Sequence, residues 1–223
     1  MDANHKVKFK SALEAAVDAF GLDPLTDAQL ASLNRHYSMV LDWNRHINLT
    51  RITTPDDAAR FHYAESLFGA RFIGDARTLL DIGSGAGFPA VPIATVRSDI
   101  RVTALEPDQK KALYLCEVKD ALGLSNLAVA RSRIEHFSWE QYDLLMSRAL
   151  DSADKILASV ASRLSPPQRL MLFCGPNLIE RVTKRVAPGY SLEIHAIPQA
   201  ETRTVAVLSP KSEGTGQRAD ALL

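Results

Sequence analysis

Apolar residues recur at helical spacing through the first third of the chain and then change texture. Phe9, Leu13, Ala16, Val17 and Phe20 form one stripe, closed by Gly21. Thr26-Asp27-Ala28-Gln29 has the form of a capping box, and Leu30, Leu33, Tyr37, Val40 and Leu41 follow it on one face. Thr54-Pro55-Asp56-Asp57 supplies a cap, a proline for the first turn and two acids for the positive end of a helix. From Thr78 onward, short apolar runs alternate with helical patterns. Strands are expected over 78–82, 101–105, 127–131, 142–147 and 169–174. Helices are expected over 88–97, 108–122, 152–163 and 177–186, with a short turn over 135–139. Two further strands, 190–197 and 203–208, are close enough in sequence to pair as an antiparallel hairpin. Five strands with helical crossovers imply an α/β fold with a parallel, doubly wound sheet. This divides the chain into a helical N-terminal extension (1–77) packed on a core (78–210), with a loose polar tail (211–223).

At 223 residues and 46% hydrophobic, the chain can bury one substantial core. No apolar run reaches the roughly 18–20 residues of a membrane helix. The first 20 residues interleave Lys6, Lys8, Lys10, Glu14 and Asp18 with apolar positions, so no signal peptide is read. Two cysteines, Cys116 and Cys174, are too few for a disulfide framework or a zinc site, and the histidines form no close pair. No metal site and a reducing cytoplasm are the expectation.

The sharpest feature is Asp81-Ile82-Gly83-Ser84-Gly85-Ala86-Gly87-Phe88, directly after an expected strand and opening a helix. Glycines permit a tight turn and bring backbone close to a ligand at a helix N-terminus. Dinucleotide loops space them G-x-G-x-x-G, whereas here they fall as G-x-G-x-G. That tighter form, preceded by an acid at the strand end, points to S-adenosyl-L-methionine, bound by Gly83, Ser84, Gly85, Gly87 and Phe88. Glu106 closes the next strand, where a carboxylate can accept ribose hydroxyls. This geometry would also serve NAD. Arg133-Ile134-Glu135 follows the third strand, and places Ile134 and Glu135 where a backbone amide and a carboxylate reach an adenine edge.

These residues carry a wider resemblance. Trp43-Asn44-Arg45-His46-Ile47-Asn48-Leu49-Thr50, His62-Tyr63-Ala64-Glu65-Ser66, the loop through Pro89, Lys110-Lys111, Ser147-Arg148-Ala149 and Gly175-Pro176 together resemble the bacterial 16S rRNA guanine-N7 methyltransferases, also called the glucose-inhibited division protein B family. The similarity runs from about Tyr37 to Leu208. It implies a Rossmann-like methyltransferase with a seven-stranded, mostly parallel sheet ending in a hairpin. It also implies 16S rRNA or the small ribosomal subunit as partner, with no DNA and no membrane, and a monomer. Gly83, Phe88, Ile134, Glu135 and Arg148 fall at the family's cofactor positions, and Arg148 is the candidate for a catalytic role. Asn48, His62 and Arg203 align with its RNA-facing cleft. Asn48 could equally cap a helix end, and His62 could equally be a satisfied interior histidine. The chain departs from the family at Glu65, where aspartate is usual, at Ala90 after Phe-Pro, and at Cys174, where a lysine usually precedes Gly175-Pro176.

Guanine N7 carries an in-plane lone pair and no proton, so its methylation needs alignment rather than a general base. Ser147-Arg148-Ala149 lacks the Asn/Asp-Pro-Pro-aromatic sequence expected for methylation of exocyclic amines. Three competing functions stay open: a cytosine-C5 methyltransferase using Cys174 as nucleophile, a hydride-transferring oxidoreductase, and a ribosome-binding protein that keeps the fold without turnover. Charge works against RNA binding. The chain has 26 basic and 26 acidic residues, and neither half is strongly basic. Contact must then come from local groups such as Lys6/Lys8/Lys10, Lys110/Lys111, Arg131/Arg133 or Arg181/Lys184/Arg185, each of which also reads as a solvated helix face.

Overall fold

The central strands of the sheet are dry on both faces, and they show it residue by residue. In the computed structural model, which describes residues 3–148, 154–186 and 188–211, seven strands form one sheet: β1 (Thr78–Ile82), β2 (Arg101–Leu105), β3 (Leu127–Ala130), β4 (Leu144–Arg148), β5 (Arg169–Cys174), β6 (Tyr190–Ala196) and β7 (Thr204–Pro210). Successive side chains alternate between two cores. Leu79, Leu144, Met146, Met171, Phe173, Val205 and Val207 face one, while Leu80, Leu145, Leu170, Leu172, Ala206 and Leu208 face the other.

The strand order is β3-β2-β1-β4-β5-β7-β6. β1 to β5 pair in parallel, and β7 runs antiparallel to both β5 and β6. The expected doubly wound sheet and terminal hairpin are therefore present. Chain order reverses between β1 and β4, so a crevice opens at their carboxyl ends, where open α/β sheets bind ligands. The fourth strand begins at Leu144 rather than at 142. Tyr142 is held in a turn, its amide bonded to the Trp139 carbonyl. Asp143 then turns its carboxylate to the amides of Arg77 and Thr78, fixing the start of β1.

Helices α1 (Ala3–Ala19) and α2 (Asp27–Trp43) form as the apolar stripes expect, and Thr26 and Gln29 make a complete capping box. Thr54 caps α3 (Pro55–Asp57). The helix then runs through a π-helical turn, Ala58–Ala64, into α4 (Glu65–Ala70). The apolar pattern gave no notice of that turn, because one inserted residue does not disturb a short amphipathic stretch. α5 (Ala90–Val96) starts two residues later than expected, since Phe88 and Pro89 belong to the glycine loop. Asp108 caps α6 (Gln109–Leu122), and α7 (Asp154–Arg163) and α8 (Pro176–Thr183) cover the second face. Ala149, the first residues of the expected 152–163 helix and the tail beyond Lys211 lie outside the described residues.

The N-terminal helices share the first core with α5 and α6. Phe9 stacks on Tyr37 at 4.2 Å and meets Tyr63 edge-on at 4.9 Å. In the apolar face of α2, His36 is fully buried. Tyr63 donates to its Nδ1 at 3.0 Å, and its Nε2–H donates to the Ala86 carbonyl at 3.1 Å, which the Tyr114 hydroxyl also reaches. Burial holds the His36 pKa down to about 3, so the ring is neutral.

His36→Leu is expected to destabilise the fold near neutral pH by about 1–3 kcal/mol, because it strands the Tyr63 hydroxyl. The penalty should shrink on acidification. The folded-state pKa lies below the unfolded value of 6.5. The unfolded wild type therefore takes up a proton as pH falls through that window, and loses ~1.4 kcal/mol per unit relative to the variant. Urea unfolding of both proteins from neutral pH to about pH 4 measures this difference. A gap that stays constant with pH would remove His36 as a buried neutral group.

Candidate active site

The crevice at the switch point is a cleft of ≈ 720 Å³. The carboxyl ends of four strands build it. β1 delivers the loop from Gly83 to Phe88, β2 delivers Glu106, and β4 and β5 deliver Arg148 and Cys174. The loop is made to be approached closely. Gly83, Gly85 and Gly87 have φ of 76°, 54° and 88°, which side-chain-bearing residues rarely adopt. A Cβ on Gly85 would meet nothing nearer than the Gly83 carbonyl at 3.8 Å, so this glycine faces open space. Gly87 is different: a Cβ there would lie 2.7 Å from Val91 and 3.2 Å from the His36 ring. Gly85 leaves room for a ligand, whereas Gly87 leaves room for the protein.

Hydrogen bonds fix this flexible segment. The Gly83 and Ser84 amides donate to the Leu105 carbonyl, and the Ser84 hydroxyl to that of Asp81 at 3.1 Å. Glu106, 5% exposed, accepts from the Gly85 amide at 2.8 Å through one oxygen and from the Asp108 amide at 2.9 Å through the other. It therefore braces the loop, and its remaining lone pairs stay available to a ligand. Asp81 is fully buried; the Ser84 hydroxyl and the Ala90 amide are its nearest donors, neither in good hydrogen-bond geometry, and the Arg148 charge is within its field. Burial pushes its pKa up to about 7. A buried carboxylate so weakly partnered is costly, and a further cation placed beside it would relieve that cost.

The opposite wall comes from the π-helical turn. His62 stacks on Phe88 at 4.4 Å and 12°, and its Nε2 pairs with the Thr50 hydroxyl at 2.8 Å. Burial first, then the charges of Arg148 and Arg203, hold the His62 pKa down to about 3. Arg148 reaches back into the same turn. It donates to the carbonyls of Phe61 and His62, to Ser66 Oγ at 3.4 Å and to Glu65 at 3.0 Å. Arg203 donates to the other Glu65 oxygen at 2.5 Å. Cys174 is buried, and burial raises its thiol to about 11, so the sulfur is not an activated nucleophile.

Gly83, Ser84, Gly85, Phe88, Glu106, Arg148, His62 and Arg203 thus line one cleft, with Gly87 behind the loop. Ile134 and Glu135 line a recess of ≈ 110 Å³ that shares Gly83 and Pro107 with it. Asn48 lies exposed on the loop after α2 and is not part of the wall. Helix-end capping belongs instead to Asn44. Its Oδ1 accepts from the Leu49 and Thr50 amides, and its Nδ2 donates to the Thr50 carbonyl. Sequence reasoning gave no site role to Thr50 or Phe173, which also line the cleft, as does Lys111 from the candidate RNA-contact pair Lys110/Lys111. It passed over His36 too, although a histidine between Leu33 and Tyr37 on an apolar stripe was a visible sign of a buried polar contact.

The family model for rRNA small subunit methyltransferase G matches residues 29–187. Ribosomal RNA small subunit methyltransferase G from Solibacter usitatus is 33% identical over 77% of this chain and 82% of its own length. The protein of the same name from Anaeromyxobacter dehalogenans is 38% identical over 75% and 79%. Among solved structures, precorrin-6y C5,15-methyltransferase from Geobacter metallireducens superposes with a TM-score of 0.52 at 14% identity, covering 73% of this chain and 90% of that one. A SAM-dependent O-methyltransferase from Thermotoga maritima gives 0.51 at 18%, covering 77% and 71%. These two likenesses concern the fold alone. The sequence matches settle the relationship: the chain belongs to the rRNA small subunit methyltransferase G family.

Proposed function

We propose that this protein is an S-adenosylmethionine-dependent methyltransferase acting on a guanine N7 of small-subunit ribosomal RNA. The observation that carries the reading is the cleft itself, which joins the glycine loop and Glu106 to a wall holding Arg148, Arg203 and a neutral His62, with Asp81 buried behind the loop at the end of β1. The residues present fit the cofactor. Gly85 leaves open space, Asp81 is a buried acid without a well-formed hydrogen bond whose ionised form a nearby ammonium group would favour, and Glu106 retains acceptor capacity for ribose hydroxyls. Ile134 and Glu135 line the adjoining recess, which has the place expected for an adenine. Bound there, the cofactor would supply a methyl group on a sulfonium centre, open to direct displacement.

The remaining chemistry asks little of the side chains. N7 presents a lone pair with no proton to remove, and the cleft has neither a histidine with ordinary basicity nor a reactive thiol. This weighs against the cytosine-C5 alternative, which needs a thiolate. Catalysis then rests on holding the base in line, an effect able to supply several kcal/mol. Arg148 contributes by holding the cleft wall to the end of β4, and Arg203 by offering donors to the RNA. Mapping N7-methylguanine in small-subunit rRNA from cells with and without the protein tests the reading. One guanine methylated only in its presence is expected, and identical maps would overturn it.

Two further outcomes are expected. Asp81 is held at about 7, and a bound ammonium favours its ionised form. Affinity for S-adenosylhomocysteine should therefore fall about tenfold per pH unit below 7, and Asp81→Asn should bind weakly without that slope. Calorimetry across pH reads both, and a flat wild-type profile would take Asp81 out of the site. Arg148→Ala should reduce turnover by about tenfold or more, ~1.4 kcal/mol in the barrier, and should also lower the unfolding midpoint, because it removes one partner of a buried acid. Arg148→Lys should rescue poorly, since a point charge cannot serve the acceptors that the planar fork reaches. Native turnover and stability in the alanine variant would refute both roles.

A further inference from the structure

Glu65 stands between two guanidiniums that are not equivalent. Its side chain is 2% exposed. One oxygen accepts from Arg148 at 3.0 Å and the other from Arg203 at 2.5 Å. Arg148 is 12% exposed and is committed to Phe61, His62 and Ser66 as well. Arg203 is 43% exposed, lines the cleft and gives one guanidinium nitrogen to Glu65. Its guanidinium also lies over the Phe61 ring at 4.8 Å, as does that of Arg60. A half-exposed arginine ordinarily samples many rotamers. Here a carboxylate and an aromatic ring restrict it, while donors remain for an outside acceptor.

The backbone contributes to this placement. The Glu65 amide donates to the Arg60 carbonyl, five residues back, so the π turn has carried Glu65 one position further round than an α-helix would. Burial pushes the Glu65 carboxyl up, and the Arg148 and Arg203 charges pull it down. An arginine–glutamate–arginine triad about a buried acid gives little net stability compared with apolar packing. Its consequence for the molecule is geometric.

We propose that Glu65 is a positioning residue for methyl transfer: fixed by Arg148, it holds the Arg203 guanidinium at the cleft so that the free donors of Arg203 meet an oxygen acceptor on the RNA substrate. This rests on the functional reading above. Arg203 is the group that touches substrate, and Glu65 acts through it.

The test is a double-mutant cycle on purified full-length protein, with small ribosomal subunits as substrate and calorimetric binding of S-adenosylhomocysteine as a separate readout. Glu65→Gln is expected to cut kcat/KM about tenfold or more while changing cofactor affinity less than about twofold. In an Arg203→Ala background the same substitution should add less than about twofold, because the group it positions is gone. Glu65→Asp keeps the charge and shortens the reach. It should fold even if Glu65→Gln does not, and lose kcat/KM several-fold with cofactor affinity intact. Effects that add in the cycle, native turnover in Glu65→Gln or Glu65→Asp, or parallel loss of cofactor affinity would overturn the proposal. A wild type that binds cofactor yet methylates no subunit would instead overturn the functional reading, and the proposal with it.

Discussion

A cofactor loop built from glycine faces a conflict between access and order. Glycine at 83, 85 and 87 lets the backbone take positive φ and lets a ligand approach it, but glycine also loses more conformational freedom on folding than any other residue. The structure resolves this by holding the loop from behind. Leu105 accepts two of its amides, Glu106 accepts a third, and Ala86 offers its carbonyl to His36 and Tyr114. Two of these supports come from β2 and the residue after it. The others reach across from α2 and α6. The helical N-terminal segment is therefore more than a cover for the sheet, since one of its side chains helps set the shape of the ligand loop.

The same dependence appears in the electrostatics. The site side of the N-terminal segment presents two neutral histidines and one buried acid, and each has its state set by burial and neighbouring charge. His36 and His62 are held well below their usual range, so they pack and hydrogen-bond as uncharged rings around Phe88. Protonating either would place a cation in the dry interior, and His62 additionally lies near the Arg148 and Arg203 charges. Positive charge reaches the cleft through Arg203, Arg148 and Lys111, partly balanced by Glu65 and Glu106. A chain with zero net charge can still present cations where a polyanion would arrive, because what matters there is local placement.

The sheet was readable because its central strands, buried on both faces, appear as short unbroken apolar runs between helical patterns. The loop was readable because its tight glycine spacing, with an acid just before it, suits few ligands. Thr26 and Thr54 announced their helices through capping chemistry that is local in sequence. What stayed hidden was long-range or insensitive to periodicity. The π turn leaves the apolar pattern almost unchanged, and the bonds from Arg148 to Phe61 and His62 span 87 and 86 positions. Asn48 and Asn44 show the limit well. Both sit in the same short block, and composition cannot tell which one folds back to cap the loop. Arg148 was legible as a residue at a strand end facing the crevice. That its donors would turn toward the π turn was not.

Cys174 illustrates how geometry decides among chemistries that sequence leaves open. Read from the chain, it closes a strand at the ligand end of the sheet, where a nucleophile would stand. In the structure the thiol is buried, with its pKa raised to about 11, and the Thr204 hydroxyl engages its carbonyl at 3.2 Å. A thiol in that state packs as a small apolar group. The carboxyl end of β5 thereby contributes shape, and the guanidinium donors of the cleft come from Arg148 at the end of β4 and from Arg203, next to the start of β7. With Cys174 where the family usually carries a lysine, the burden of positive charge falls on Lys111 and on the two arginines that share Glu65. In a cleft so supplied, the position of each guanidinium matters more than the number of cations.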